Sequence, residues 1–287
     1  MHILKTGTTS WTISGVVFRV RDKFIYLTTS SGTTSNSTRR ICYDLITANN
    51  RLFVPNNGPG TLSVVNATTF AIVATITGLS SIQAVAIDTS TNTIYACGGS
   101  SLWVINGSTY SIITTITGFT DLRGIAIDPV SANHRAFVCD FSTSIIYIIN
   151  TSTNTTASSF AASTQPFGID FDPVAANNRL AVSYLSGSVV FLNATTFASL
   201  GTATGLGVPC QVTFDPVSLN NRALTTNRDS GTVSGINLGT YANTGVLPGA
   251  NFSSAYGIAF DPITANNRFI IADQNASTLQ VVTQTAV

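Results

Sequence analysis

Apolar residues along this chain come in short runs, most of them rich in β-branched side chains, separated by clusters of Gly, Ser, Thr, Asn and Asp. Short runs bounded by turn residues predict strands rather than helices. The stretch from 84 to 117 shows the pattern: AVAID (84–88), TIYAC (93–97), SLWVIN (101–106) and SIITTIT (111–117). They are joined through DTSTN, GGS and NGSTY, residues that tolerate hairpin and turn conformations.

The same order of runs recurs along the chain. ICYDLITANNRLFV, AIDTSTNTIYAC, AIDPVSANHRAFVC, DFDPVAANNRLAVS, TFDPVSLNNRALTT and AFDPITANNRFIIA share one pattern, anchored on Asp44, Asp88, Asp128, Asp172, Asp215 and Asp261. Successive anchors lie 44, 40, 44, 43 and 46 residues apart. Four short strands in such a period predict a propeller blade rather than a helical solenoid. Six repeats therefore predict an all-β, six-bladed β-propeller of four-stranded blades, with seven blades as the alternative. Residues one, three and five before an anchor are mostly large (Ile127, Ile125, Arg123), and those two and four before are mostly small (Ala126, Gly124). Large faces can then nest against small ones between sheets.

The last repeat supplies 257–261, 268–273 and 278–283 but no fourth strand. KFIYLTTSSG (23–32) aligns with FAIVATITGL (70–79), which predicts an N-terminal strand that closes the last blade and removes free sheet edges. Residues 23–287 are thus expected to form a single propeller domain. Residues 1–22 become an N-terminal extension, an extra strand or a partner-docking segment, in which VVFRV (16–20) pairs with the closing strand.

VINGSTYSIITTITGFTDLRGIAIDP resembles the YVTN type of β-propeller repeat, and RFIIAD and AFVCD resemble the second strand of NHL blades. The similarity spans roughly residues 40 to 285. The resemblance implies a fold, and little about activity, because these motifs encode blade geometry.

Composition agrees with strands. All twelve acidic residues are Asp, lysine occurs only at Lys5 and Lys23, and charged residues make up 9% of the chain. A net charge of +1 without a basic stripe argues against nucleic-acid binding. No apolar run reaches the length of a membrane span, and MHILKTGTTSWTISG lacks the basic and apolar regions of a signal peptide. Membrane insertion is not expected.

The most regular polar feature is an Asp followed seven residues later by an Arg: Asp44 and Arg51, Asp128 and Arg135, Asp172 and Arg179, Asp215 and Arg222, Asp261 and Arg268. In the second repeat the loop is two residues shorter and Thr93 stands in place of the Arg. Each pair is expected to brace its own hairpin, so no metal or other cofactor is expected at these Asp residues. Catalytic groups are scarce, since the only histidines are His2 and His134, and His134 falls at a hairpin tip. No nucleophile-elbow pattern accompanies them, and the chain is read as not an enzyme.

Cys42, Cys97, Cys139 and Cys210 fall in or beside strands. Cys97 and Cys139 occupy equivalent positions in adjacent blades, where a sheet spacing of about 10 Å forbids a disulfide. Buried free thiols are expected. Asn-x-Ser/Thr triplets begin at Asn36, Asn66, Asn106, Asn150, Asn154, Asn193, Asn251 and Asn275. Asn66, Asn106, Asn150 and Asn193 share one turn and are the candidate glycosylation sites, although turn geometry alone favours Asn there.

The loops least alike among repeats lie on the face opposite the braces, where function is expected. Its channel mouth should present Arg39, Gln83, Arg123, Phe167, Cys210 and Tyr256, with Arg40 and Gln211 one residue further in. Two basic sites and two aromatics could hold an anionic group, a sugar or a protein loop. Asp140, Asp229 and Asp273 are expected to cap turns on that face, and Asp170 to need a buried partner, because it occupies a normally small position. These readings favour a non-catalytic interaction or structural propeller at a cell surface, extracellular filament or virion, binding another protein or assembling with itself. A lectin-like, glycan-binding propeller is the alternative, and a lyase or lactonase type follows behind.

Overall fold

The computed structural model describes residues 37–247 and 251–286, together with the backbone of the strands Leu4–Thr6, Ser10–Ile13, Val16–Arg21 and Phe24–Thr33. The chain is an all-β propeller. Its strands form five hydrogen-bonded sheets, not six or seven separate blades. Three are four-stranded antiparallel meanders, of which Pro166–Phe171, Arg179–Tyr184, Ser188–Asn193 and Ser199–Ala203 is typical. Cys42–Tyr43 to Ile72–Ile76 and Pro209–Phe214 to Asn243–Val246 make the other two.

The second and third repeats share one six-stranded sheet, which accounts for the lower sheet count. Thr93–Asn106 runs unbroken through GGS, and Ile112–Ile127 runs unbroken from an outer strand into the next inner one. The two meet where Gly99 pairs with Leu122. Glycine makes this possible: Gly99 takes φ +51°, and a Cβ on Gly98 would collide with the Ser81 carbonyl. The chain bends there instead of turning back.

The fifth sheet has seven strands. Ala255–Phe260, Arg268–Asp273 and Thr278–Ala286 are followed in space by Phe24–Thr33, which pairs antiparallel with Thr278–Ala286 from Thr278 opposite Thr33 to Ala286 opposite Phe24. Val16–Arg21, Ser10–Ile13 and Leu4–Thr6 continue that sheet outward. The inner strands pack beside one another in chain order around a closed ring, with Ala255–Phe260 next to Cys42–Tyr43. Between them lie apolar layers, such as Phe53, Leu62, Val85 and Trp103 between the first and second repeats.

The repeated D-x4-N-N-R sequence, with His134 for the second Asn in the third repeat, builds one hairpin in five places. In the fourth repeat Asp172 Oδ1 accepts the Val174 N–H at 2.9 Å, and Asp172 Oδ2 accepts from Asn177 Nδ2 at 2.9 Å and from Arg179. Asn178 takes the left-handed conformation at φ 44°, which closes the single turn of 3-10 helix before the strand resumes. Asn tolerates this backbone better than most residues. His134 occupies the equivalent position at φ 46° and is exposed.

Each Arg also reaches the next repeat. Arg135 donates to the Ala194 carbonyl at 3.1 Å, Arg179 to Leu238 at 3.2 Å and Arg268 to Ala67 at 3.0 Å. Arg51 donates to the Gly107 carbonyl, and Arg222 to Gln284. Where the second repeat has no Arg, the Tyr95 hydroxyl takes over, 3.2 Å from the Thr151 carbonyl and 2.9 Å from Asn154 Oδ1. Every junction of the ring thus carries a polar tie.

Magnitudes rank these ties. Asp172 and Arg179 are largely buried, with side-chain exposures of 4% and 11%, so Asp172→Ala leaves a buried charge uncompensated and should cost about 3 kcal/mol. Tyr95→Phe should cost about 1 kcal/mol. Arg228→Ala, at the open pair with Asp229, should stay within about 0.5 kcal/mol. Urea unfolding of the three variants checks this order, and equal effects would contradict it.

Candidate functional site

The residues five and four positions before the anchors converge at one mouth of the ring. Arg40 crosses the channel: its Nε donates to the Cys210 carbonyl at 2.9 Å and its Nη1 to the Arg123 carbonyl. Its guanidinium lies 4.2 Å from the Phe167 ring centre and 5.2 Å from that of Tyr256. Arg39 stacks on the same Tyr256 ring at 4.7 Å, and Arg123 lies 5.8 Å from Phe167 and 5.1 Å from Phe141. Such cation and ring contacts gain strength when shielded from water.

The cluster is packed, not a set of solvated loop ends. Arg40, Phe167 and Tyr256 are each 2% exposed, and Gln83 and Cys210 are also buried. Arg39 and Arg123 remain partly accessible. Asp121 forks onto Arg123 at 2.9 and 2.7 Å, and Arg228 bonds Asp229 at 2.6 Å. Arg39 and Arg40 have no carboxylate partner among the described residues. Arg39 Nε, Arg40 Nη2 and Gln83 Oε1 are buried without a hydrogen-bond partner. Burial pulls the Arg39 guanidinium below its ordinary pKa, and the Arg40 and Arg123 charges push the same way. Burial also works against Arg123, but its Asp121 pair outweighs that and holds it above the ordinary value.

Gln211 lies deeper. Its Nε2 donates to the Ile41 carbonyl at 3.1 Å and its Oε1 accepts the Ile258 N–H at 2.9 Å, which ties the fifth repeat to the first and sixth across the channel. On the anchor side of Gln211 a cavity of about 330 Å³ is lined by inner-strand side chains, and Leu45, Pro173, Pro216 and Pro262, each directly after an anchor, contribute to it. Its walls are apolar except at Asp170, Thr213 and Gln211, with Cys42 and Tyr43 at one side.

Asp170 takes the place that Ala86, Ala126 and Ala259 fill in other repeats. Its Oδ1 accepts the Phe171 N–H at 2.9 Å, and its Oδ2 lies 3.4 Å from the Phe214 N–H. Burial pushes its pKa up to about 7, against the opposing hydrogen bond from Thr213. The signal for Asp170, Arg40 and Gln211 was the same in the sequence: a long or charged side chain at a position otherwise small.

Other expected site residues take structural places. Asp140 Oδ2 and Oδ1 accept the Thr120 and Asp121 N–H groups, and Asp273 does the same for Ser253 and Ser254. Asp229 is exposed and pairs with Arg228. Asn66, Asn106, Asn150 and Asn193 each use Oδ1 to accept the N–H groups two and three residues on. Asn237, in Asn-Leu-Gly, makes the same turn, so the turn and not the triplet selects Asn. Asn36 and His2 lie outside the described residues. The four cysteines are free thiols. Burial raises Cys97 to about 12 and Cys210 to about 11, which leaves little thiolate at neutral pH. Among the described residues no three His, Cys, Asp or Glu side chains gather as a metal would require.

A scan of family models finds no match to this chain, and no curated protein matches it. The propeller shape does not by itself assign it to the NHL or YVTN repeats.

Asp170 makes stability depend on pH. A carboxyl in the unfolded chain titrates near 4, so between about pH 4 and 7 the folded protein holds the additional proton. The contribution of Asp170 is therefore most favourable below that window and least favourable above it. Asp170→Asn should raise the unfolding free energy at pH 8 by about 4 kcal/mol relative to its effect at pH 4. Parallel pH profiles for variant and parent would contradict this.

Proposed function

We propose that this chain is a non-catalytic interaction propeller that docks an acidic segment of another protein at the channel mouth. The observation that carries this reading is the group of Arg39, Arg40 and Arg123 around Phe167 and Tyr256, with buried guanidinium donors left unpaired. Buried polar groups are normally satisfied, and a carboxylate accepts from a guanidinium fork with good geometry. A charged aromatic cluster at the centre of a rigid face also has the composition of an interface hot spot. The sugar-binding alternative is less well supported, because Tyr256 and Phe167 lie beneath guanidinium groups and offer no open ring for a pyranose to stack on.

The place of such a protein is a surface assembly, in which residues 1–22 add a further contact along the edge of the last sheet. A uniform ring suits that role: the six anchors and six inner strands support reading the six-stranded sheet as two blades run together. No step of covalent chemistry is assigned to the site.

Selection from a random displayed-peptide library tests the docking site. Enrichment of Asp and Glu is expected, with binding of the selected peptides falling at least tenfold in R39A/R123A. Selection of neutral peptides, or binding indifferent to that double substitution, would contradict the proposal.

A further inference from the structure

The channel on the far side of Gln211 is a second site, separate from the mouth and not used by the docking role. Its volume of about 330 Å³ lies at the lower end of the range for small-molecule sites. Inner strands of all six repeats line it, and its walls are almost wholly hydrocarbon: Val85 and Ile87, Ile125 and Ile127, Ile258 and Phe260. One carboxyl group, that of Asp170, stands among them, flanked by the side chains of Phe171 and Phe214.

The charges around Asp170 leave it without a cation. From its own strand the nearest is Asp172, which already bonds Arg179. The first inner strand contributes the Cys42 thiol and, beyond the channel wall, Asp44, which Arg51 neutralises. The fifth contributes neutral Thr213 and Gln211, while the second, third and sixth present only apolar side chains to the cavity. Arg40, at the mouth, is directed to the Cys210 and Arg123 carbonyls. Asp170 is in no ion pair among the described residues, and the two backbone amides and the Thr213 hydroxyl that hydrogen-bond to it leave acceptor capacity on a carboxylate that can accept about four.

We infer that this channel binds a primary amine with a compact apolar body, its ammonium on Asp170 and its hydrocarbon against the inner-strand side chains. An ammonium would supply the charge that Asp170 lacks and would sit beside the Phe171 and Phe214 rings, which favour cations. A carboxylate ligand would face repulsion there, and a neutral alcohol would gain the apolar contacts without the ion pair. The sequence carries the same message, because Asp170 interrupts a row of small side chains without an Arg placed to pair with it as the anchors have.

The test uses 2-phenylethylamine, 2-phenylethanol and phenylacetate as probes, titrated at pH 8 into the full chain and into D170N, with binding read by ligand-observed NMR and calorimetry. The amine should bind at least tenfold more tightly than the alcohol, phenylacetate should not bind, and D170N should reduce amine affinity at least tenfold while leaving the alcohol unchanged. Thermal unfolding of D170N, compared with the parent, separates loss of the site from loss of the fold. Equal affinity for amine and alcohol, amine binding indifferent to D170N in the folded variant, or no saturable amine binding up to 5 mM (an affinity of about 3 kcal/mol) would overturn the inference. None of these outcomes depends on a peptide binding at the mouth.

Discussion

The propeller depends on an arginine shared between two repeats. Its guanidinium is held by the Asp of its own hairpin and spends a remaining N–H on a carbonyl or side chain of the next repeat, as Arg179 does between Asp172 and Leu238. The charge is thus neutralised locally while the directional bond is used across the junction. Apolar packing between neighbouring sheets supplies most of the burial energy, but it is non-directional and sets neither angle nor register. The guanidinium plane does both, because a fork has one productive orientation. Closure follows from the same device, since Arg268 of the last repeat reaches the Ala67 carbonyl of the first.

Much of this was legible in the chain. The spacing of Asp, Asn, Asn and Arg encodes the hairpin, because each residue has one task fixed by its chemistry: acceptor, donor, left-handed turn, ion pair. Placement of the mouth residues was legible for the same reason, as strand alternation puts Arg39, Gln83, Arg123, Phe167 and Tyr256 at one level of the ring. What the repeat hid was anything reaching between repeats. The second role of the Arg residues, and the substitution of Tyr95 for the missing one, depend on acceptors about 56 to 62 residues away in five of the six junctions. Partition into sheets was also out of reach, since Gly98 and Gly99 look like turn residues in the sequence and act as a bend within a continuous strand.

The ring also divides chemistry by its two ends. At the variable mouth, guanidinium groups concentrate positive charge over aromatic rings, and Arg40 and Gln211 cross the channel there. At the anchor end, ion pairs cancel and the walls are largely hydrocarbon, and Asp170 stands among them as a carboxyl without an ion-pair partner among the described residues. Sequence reasoning pointed to the first end, because variation among loops is visible in a repeat. The second became visible only when the inner strands were set side by side around a common axis.

Hydrogen exchange tests the shared arginine most directly. Arg179→Lys keeps the charge and loses the fork. The account predicts faster amide exchange in two places at once, the hairpin around Asp172 and Asn178 and the turn from Leu238 to Tyr241 in the next repeat, with the first repeat unaffected. Acceleration confined to the hairpin of Arg179 itself would contradict the claim that this residue ties neighbouring repeats.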